Sequence, residues 1–173
     1  MDIGDYMKRP NCSHFDLETQ ALIAKYCQGN GIDVGCGYQH IGACVGIDQV
    51  PWGVACNAAG DLSKADWSFD ILNLPIKSDT MDFVFASHVL EHVVDQQKAI
   101  AEWLRVLKPE GYLVMLIPHI DHCIPPIARR KGLELYHGLN PADIKSMIDA
   151  FVEVVSIATL SSKDVFEVVL REW

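Results

Sequence analysis

Positive charge is scarce in this sequence. Fourteen lysines and arginines stand against 23 aspartates and glutamates, a formal net charge of −9. Neutralising phosphates requires clustered Lys and Arg, so a general nucleic-acid-binding role is excluded. The one basic run, Arg129-Arg130-Lys131, reads as a solvated loop. Nor does any stretch reach the ~18 uninterrupted apolar residues of a membrane helix. The opening MDIGDYMKRP has no apolar h-region, so no secretory signal is expected. The six cysteines, at positions 12, 27, 36, 44, 56 and 123, form no C-x-x-C pair. They read as free thiols in a reducing compartment, and the expected location is the cytoplasm. Repeats, low-complexity tracts and linkers are absent too, and 173 residues suffice for one domain, expected over 1–173.

What is present is an alternation of short apolar runs and helical stripes. DLETQALIAKYCQ (16–28) reads as a helix stopped by Gly29 and Gly31. Strands are expected at Ile32–Val34, at Cys44–Ile47 ending on Asp48, and around Trp67–Phe69 ending on Asp70. MDFVFA (81–86) and YLVMLIP (112–118) are continuous apolar runs, as in strands buried on both faces. Between the last two, Asp95 caps a helix whose Ala99, Ile100, Trp103, Leu104 and Leu107 share a face, with Pro109 and Gly111 ending it. Asn140, Pro141 and Asp143 open a further helix, and VEVVSIATL and DVFEVVLREW form a closing hairpin. The segment 51–64 leaves room for about two turns of helix. The pattern predicts an α/β fold with a mostly parallel sheet and an antiparallel end.

In such sheets ligands bind beyond the carboxyl ends of the strands. Gly35 and Gly37 there allow a sharp turn and close approach of a ligand to the backbone. Asp48 is placed to accept hydrogen bonds from two ribose hydroxyls. Asp70 is placed to accept from an adenine amine, with the Ile71 amide donating to the ring. A dinucleotide fingerprint G-x-G-x-x-G would require glycine at position 40, where His40 stands. Its acidic residue lies about 20 residues past the glycines, whereas Asp48 follows Gly37 by 11. Nicotinamide binding is therefore disfavoured.

IDVGCG, VGID, FDILNLPIKSDTMDFVFASHVLEHVVD and LRVLKPEGYLVMLIP resemble successive motifs of class I S-adenosylmethionine-dependent methyltransferases, closest to the small type 11 group. The resemblance covers roughly 30–118, and 133–173 fit the final helix and hairpin. It implies a Rossmann-like, seven-stranded, mostly parallel sheet in the order 3-2-1-4-5-7-6, with helices on both faces. It implies S-adenosylmethionine as cofactor, S-adenosylhomocysteine as product, and methyl transfer to an O- or N-nucleophile of a small molecule. Carried over by position, Asp33, Gly35, Cys36 and Gly37 form the turn under the methionine part. Asp48 holds the ribose with Gln49 beside it. Asp70, Ile71 and Leu72 frame the adenine. Ser87 and His88 lie near the sulfonium, with Leu90 packing beneath.

The sequence departs from that family where a helix normally joins the glycine turn to the second strand. Only Tyr38–Ala43 separate Gly37 from Cys44, so the first crossover helices are shortened. One sheet face is then thinly covered, and either the N-terminal helix or a partner chain in a homodimer is expected on it. Lys8 or Arg9 is a candidate to reach over the cofactor carboxylate. General-base candidates are His88, His119, His122 and His137, since imidazole takes a proton near neutral pH. Glu91 and His92 are expected to fix a local turn by hydrogen bonds. His119, His122 and Cys123 lack a second ligand cluster, so no metal is expected. A non-catalytic cofactor-binding or interaction subunit is the alternative.

Overall fold

The computed structural model describes residues 15–42, 44–57, 59–119, 139–148, 152–160 and 165–172. Strands β1 (Gly31–Val34), β2 (Val45–Asp48), β3 (Trp67–Ser68), β4 (Met81–Ser87), β5 (Leu107–Pro118), β6 (Val152–Thr159) and β7 (Val165–Glu172) form one sheet. Its order is β3-β2-β1-β4-β5-β7-β6, as the resemblance implied. β3-β2-β1-β4-β5 are parallel, and β7 is antiparallel to both β5 and β6.

Alternation along the strands divides the core in two. Val84 and Ala86 of β4, with Leu113 and Met115 of β5, point to one face. Helix α2 (Gln96–Arg105) and helix α3 (Pro141–Met147) cover it with Ile100, Trp103 and Ile144. Phe83 and Phe85 alternate with them and point to the other face, beside Val114 and Leu116. There helix α1 (Leu17–Tyr26) supplies Leu22 and Ile23. Phe15 adds an edge-on contact to Phe85 at 5.9 Å between centroids. Each large side chain so buried contributes about 1.5–3 kcal/mol. The N-terminal helix, one of the two coverings expected, thus lies on this face over Phe83 and Phe85.

Helix starts follow the sequence. Asp16, Asp95 and Asn140 each accept from an amide of the first turn, and Asn140 with Asp143 closes a full capping box. Two ends and one helix differ from expectation. α2 stops at Arg105, and Leu107 already pairs with Met81 in the sheet. The ladder resumes at Phe83 and Tyr112, so Lys108–Gly111 form an irregularity that accommodates Pro109 and the left-handed Glu110. The ion pair of Lys108 with Asp82, at 2.7 Å, pins it. Between 51 and 64 the described residues form no helix. Asn57 Oδ1 accepts from the Ala59 and Asp61 amides, at 3.0 and 3.1 Å, and an isolated antiparallel bridge joins Ala55 to Leu62. A side chain that captures nearby amides competes with the helix for them.

Candidate active site at the strand ends

The carboxyl ends of β1, β2 and β4 open into a cleft of about 790 Å³. That lies within the roughly 300–1,000 Å³ of small-molecule sites. The floor is the turn after β1. The Gly35 and Cys36 amides both donate to the Ile47 carbonyl, at 2.7 and 3.3 Å, which ties the turn to β2. Gly35 has φ +67°, and a Cβ there would meet Val89 Cγ2 at 2.4 Å. Gly37 has φ +48°, but the nearest atom to a Cβ there is Cys56 Sγ at 3.9 Å. The two glycines thus serve different ends: Gly35 lets Val89 pack against the turn, and Gly37 leaves the turn open.

Asp48 stands at the end of β2 with Oδ2 accepting from the Gly37 amide at 2.9 Å and Oδ1 accepting from Val50 at 2.8 Å. A carboxylate has about four acceptor sites, so both oxygens keep capacity for ligand hydroxyls. Gln49 lines the wall next to it. Asp33 is buried, and its Oδ2 accepts from the Ile41 amide at 2.9 Å. Burial pushes the Asp33 carboxyl up to about 8, against the lowering effect of that amide and with help from Asp48 and Asp66. Its observed contact anchors the short connection after the glycine turn, which seats Ile41 in the core beneath α1. Burial also pushes the Cys36 thiol well up, reinforced by Asp33 and Asp48, so it stays protonated and is no nucleophile.

Ile71 and Leu72 form the opposite wall. Helix α2 sets their position: Trp103 Nε1 donates to the Ile71 carbonyl at 3.0 Å, and Glu102 Oε1 accepts from the Leu74 amide at 2.7 Å. Asp70, expected to accept from the adenine amine, precedes this wall in the chain. It is exposed, and its Oδ1 accepts from the Leu72 amide at 2.9 Å. This Asx turn leaves acceptor capacity on the carboxylate. Leu90 is buried in the core and does not line the cleft.

β4 ends on Ser87, and His88 follows with φ +56°, a left-handed conformation uncommon outside glycine. Both line the cleft. The 3-10 turn Leu90–His92 returns His92 to the same wall, a residue the sequence reading assigned only to a local turn. His119 is not brought to the cleft. Its ring meets Phe166 edge-on at 5.9 Å, and its backbone bridges to Leu139. His122, His137, Lys8 and Arg9 lie outside the described residues. Tyr38 and Phe15, missed in the sequence, also line the cleft; Phe15 gets there because α1 crosses the sheet.

Glu91 is the anomaly. Its side chain is fully buried, and neither oxygen makes a hydrogen bond among the described residues. A buried acceptor left unmade costs about 1–3 kcal/mol, more when charged. The turn it was expected to fix is instead closed by backbone bonds, His92 to Val89 and Val93 to Leu90. Among the described residues no group of three or more His, Cys, Asp and Glu is arranged for a metal.

Comparison with known proteins agrees with this architecture. The family model "Methyltransferase domain", type 11, matches residues 29–115. Norajmaline N-methyltransferase of Rauvolfia serpentina is 36% identical over 104 residues, 50% of this chain and 35% of that enzyme. This chain thus spans about a third of that relative's length. A SAM-dependent methyltransferase from Aquifex aeolicus superposes with a TM-score of 0.63 at 17% identity, covering 90% of this chain and 89% of that one. A methyltransferase complexed with the Haloferax volcanii Trm112 methyltransferase activator superposes at 0.67 and 14% identity, covering 89% and 88%. At these identities the structural likeness speaks for the fold, and the family model speaks for descent: the chain belongs to the type 11 family of class I S-adenosylmethionine-dependent methyltransferases.

Proposed function

We propose that this protein transfers a methyl group from S-adenosylmethionine to an O- or N-nucleophile of a small molecule. The observation that carries the reading is the convergence on one cleft of the Gly35–Gly37 turn, the Asp48 carboxylate, the Ile71–Leu72 wall and the left-handed His88. The site fits the cofactor where it is tested hardest. The space over Gly37 is open, Asp48 keeps free acceptor capacity, and Ile71 and Leu72 offer an apolar slot.

In this reading Gly35, Cys36 and Gly37 cradle the methionine part, over a turn that Asp33 anchors from below. Asp48 and Gln49 take the ribose, and the Ile71–Leu72 wall frames the adenine. Asp70 contributes through the turn it holds. The bound cofactor supplies an activated methyl on sulfonium. The chain's own contribution is alignment, which can lower a barrier by about 7–11 kcal/mol. Ser87 and His88 flank the acceptor position, and His88 receives the acceptor's proton. The norajmaline enzyme's name speaks for a nitrogen acceptor in that relative. Four cysteines among the described residues are free, in keeping with a reducing cytoplasmic setting. No helix of the described residues is long and apolar enough to cross a membrane.

The test combines calorimetry with S-adenosylhomocysteine and transfer of labelled methyl from S-adenosylmethionine into a fractionated metabolite pool. Binding and label incorporation are expected. Failure to bind either cofactor form in folded protein would refute the reading. A second reading, an interaction subunit, is favoured by exposed Trp67 on the edge strand β3, by exposed Trp52 and Leu62 in the β2–β3 connection, and by the structural relative complexed with an activator. Cofactor binding without any label transfer would favour it.

A further inference from the structure

We propose that Glu91 is a positioning residue for His88, holding the imidazole with its Nδ1 proton inward so that Nε2 faces the cleft as the proton acceptor. The inference rests on the methyltransferase reading for the proton's source, but its geometry stands apart from it. Glu91 is 0% exposed, whereas His88 is 48% exposed at the cleft wall. Glu91 Oε1 lies 3.6 Å from His88 Nδ1 and 3.8 Å from His92 Nε2. The histidines are about half exposed, at 48% and 49%, while the carboxylate between them is buried.

A carboxylate placed there for structure alone would be spent on hydrogen bonds within the turn. It makes none, and the backbone closes the turn without it. What the carboxylate faces is two imidazoles. The ring nitrogen that carries the proton in a neutral histidine is set by the partner of the other nitrogen. An acceptor behind Nδ1 therefore leaves Nε2 unprotonated toward the cleft. His88 carries a left-handed backbone, with φ +56°. A separation of 3.6 Å is long for a hydrogen bond, but such contacts commonly tighten when substrate binds. When the acceptor's O–H or N–H gives its proton to Nε2, the imidazolium charge meets the carboxylate through Nδ1–H. An unsatisfied buried group that improves function carries a second signature: replacing it by an apolar residue of similar size does not destabilise.

The experiment uses the whole chain, labelled with 15N-histidine and read by imidazole nitrogen NMR at about pH 8.5. The His88→Asn variant assigns the signals. The expected result is Nδ1–H for His88 in the unaltered protein, lost in Glu91→Leu, with Glu91→Leu melting at the same or a higher temperature. Three results overturn the proposal: His88 protonated on Nε2 in the unaltered protein, a His88 tautomer unchanged in the variant, or a change confined to His92. Should Glu91→Leu fail to fold, the tautomer of the unaltered protein decides alone. S-adenosylhomocysteine calorimetry on the same samples separates the two failures. Absent binding with Nδ1–H intact refutes the methyltransferase reading and leaves the pair standing. Intact binding with Nε2–H refutes the pair alone.

Discussion

Asp48 closes the glycine turn from the neighbouring strand: its Oδ2 accepts from the Gly37 amide at 2.9 Å. One carboxylate thus shapes the floor of the cleft and forms part of its wall. Asp48→Ala removes that bond and the acceptor meant for ribose. Hydrogen bonds to charged groups are worth about 1.5–3 kcal/mol. Affinity for S-adenosylhomocysteine, measured by calorimetry, is expected to fall at least ~10-fold. An unchanged affinity would remove Asp48 from the site.

The two glycines of that turn should respond differently to the same change. Gly35→Ala drives a methyl to 2.4 Å from Val89 Cγ2 on top of a left-handed backbone. Gly37→Ala meets only the backbone cost, about 1–2 kcal/mol, with open space beyond. Urea unfolding should show Gly35→Ala clearly the less stable. In Gly37→Ala the loss should appear in cofactor affinity instead. Equal destabilisation would contradict the packing described at Val89.

Asp33 gives stability a pH dependence. In the folded chain its carboxyl stays protonated up to about 8, against an ordinary value of 3.8. Between those values the folded chain binds more protons than the unfolded one, so stability falls as pH rises through that window. Asp33→Asn keeps an oxygen for the Ile41 amide and does not titrate. Melting temperature measured from about pH 5 to pH 8.5 should therefore decline less steeply in the variant. An identical slope would show that another group is responsible.

Trp103 links helix packing to the adenine wall. It is fully buried, and its Nε1 donates to the Ile71 carbonyl. Trp103→Phe preserves most of the apolar volume but orphans that carbonyl, at a cost of about 1–3 kcal/mol. Denaturant unfolding should register that loss. Cofactor affinity should fall as well, because the 71–74 segment loses one of its ties to α2. A variant that loses stability but binds cofactor normally would show that Ile71 keeps its place without the indole.

Local order was well marked in the sequence. Asp95 and Asn140 cap their helices as expected, because a cap depends on residues within one turn. The continuous apolar runs MDFVFA and YLVMLIP placed β4 and β5. The end of α2 was misread because Leu107 continues the helical stripe, while a pairing with Met81 claims it for the sheet. Pairing between distant segments leaves no periodic trace. Segment 51–64 was misread for a local reason, the amides taken by Asn57.

The sequence by itself determined the family, the strand order and the acidic residue at the end of the second strand. These depend on motif order and spacing along the chain. Tertiary structure decided which side chains share the cleft. The sequence offered both His119 and His88 as general bases, with His88 also beside the sulfonium; after β5, His119 lies against Phe166, and after β4, His88 lies in the cleft. It marked Asp70, and the structure adds an Asx turn to the Leu72 amide. Glu91 looked like turn chemistry, and only folding revealed a buried carboxylate facing two imidazoles. Burial and side-chain direction arise when separate segments pack, so residue order alone does not encode them in readable form.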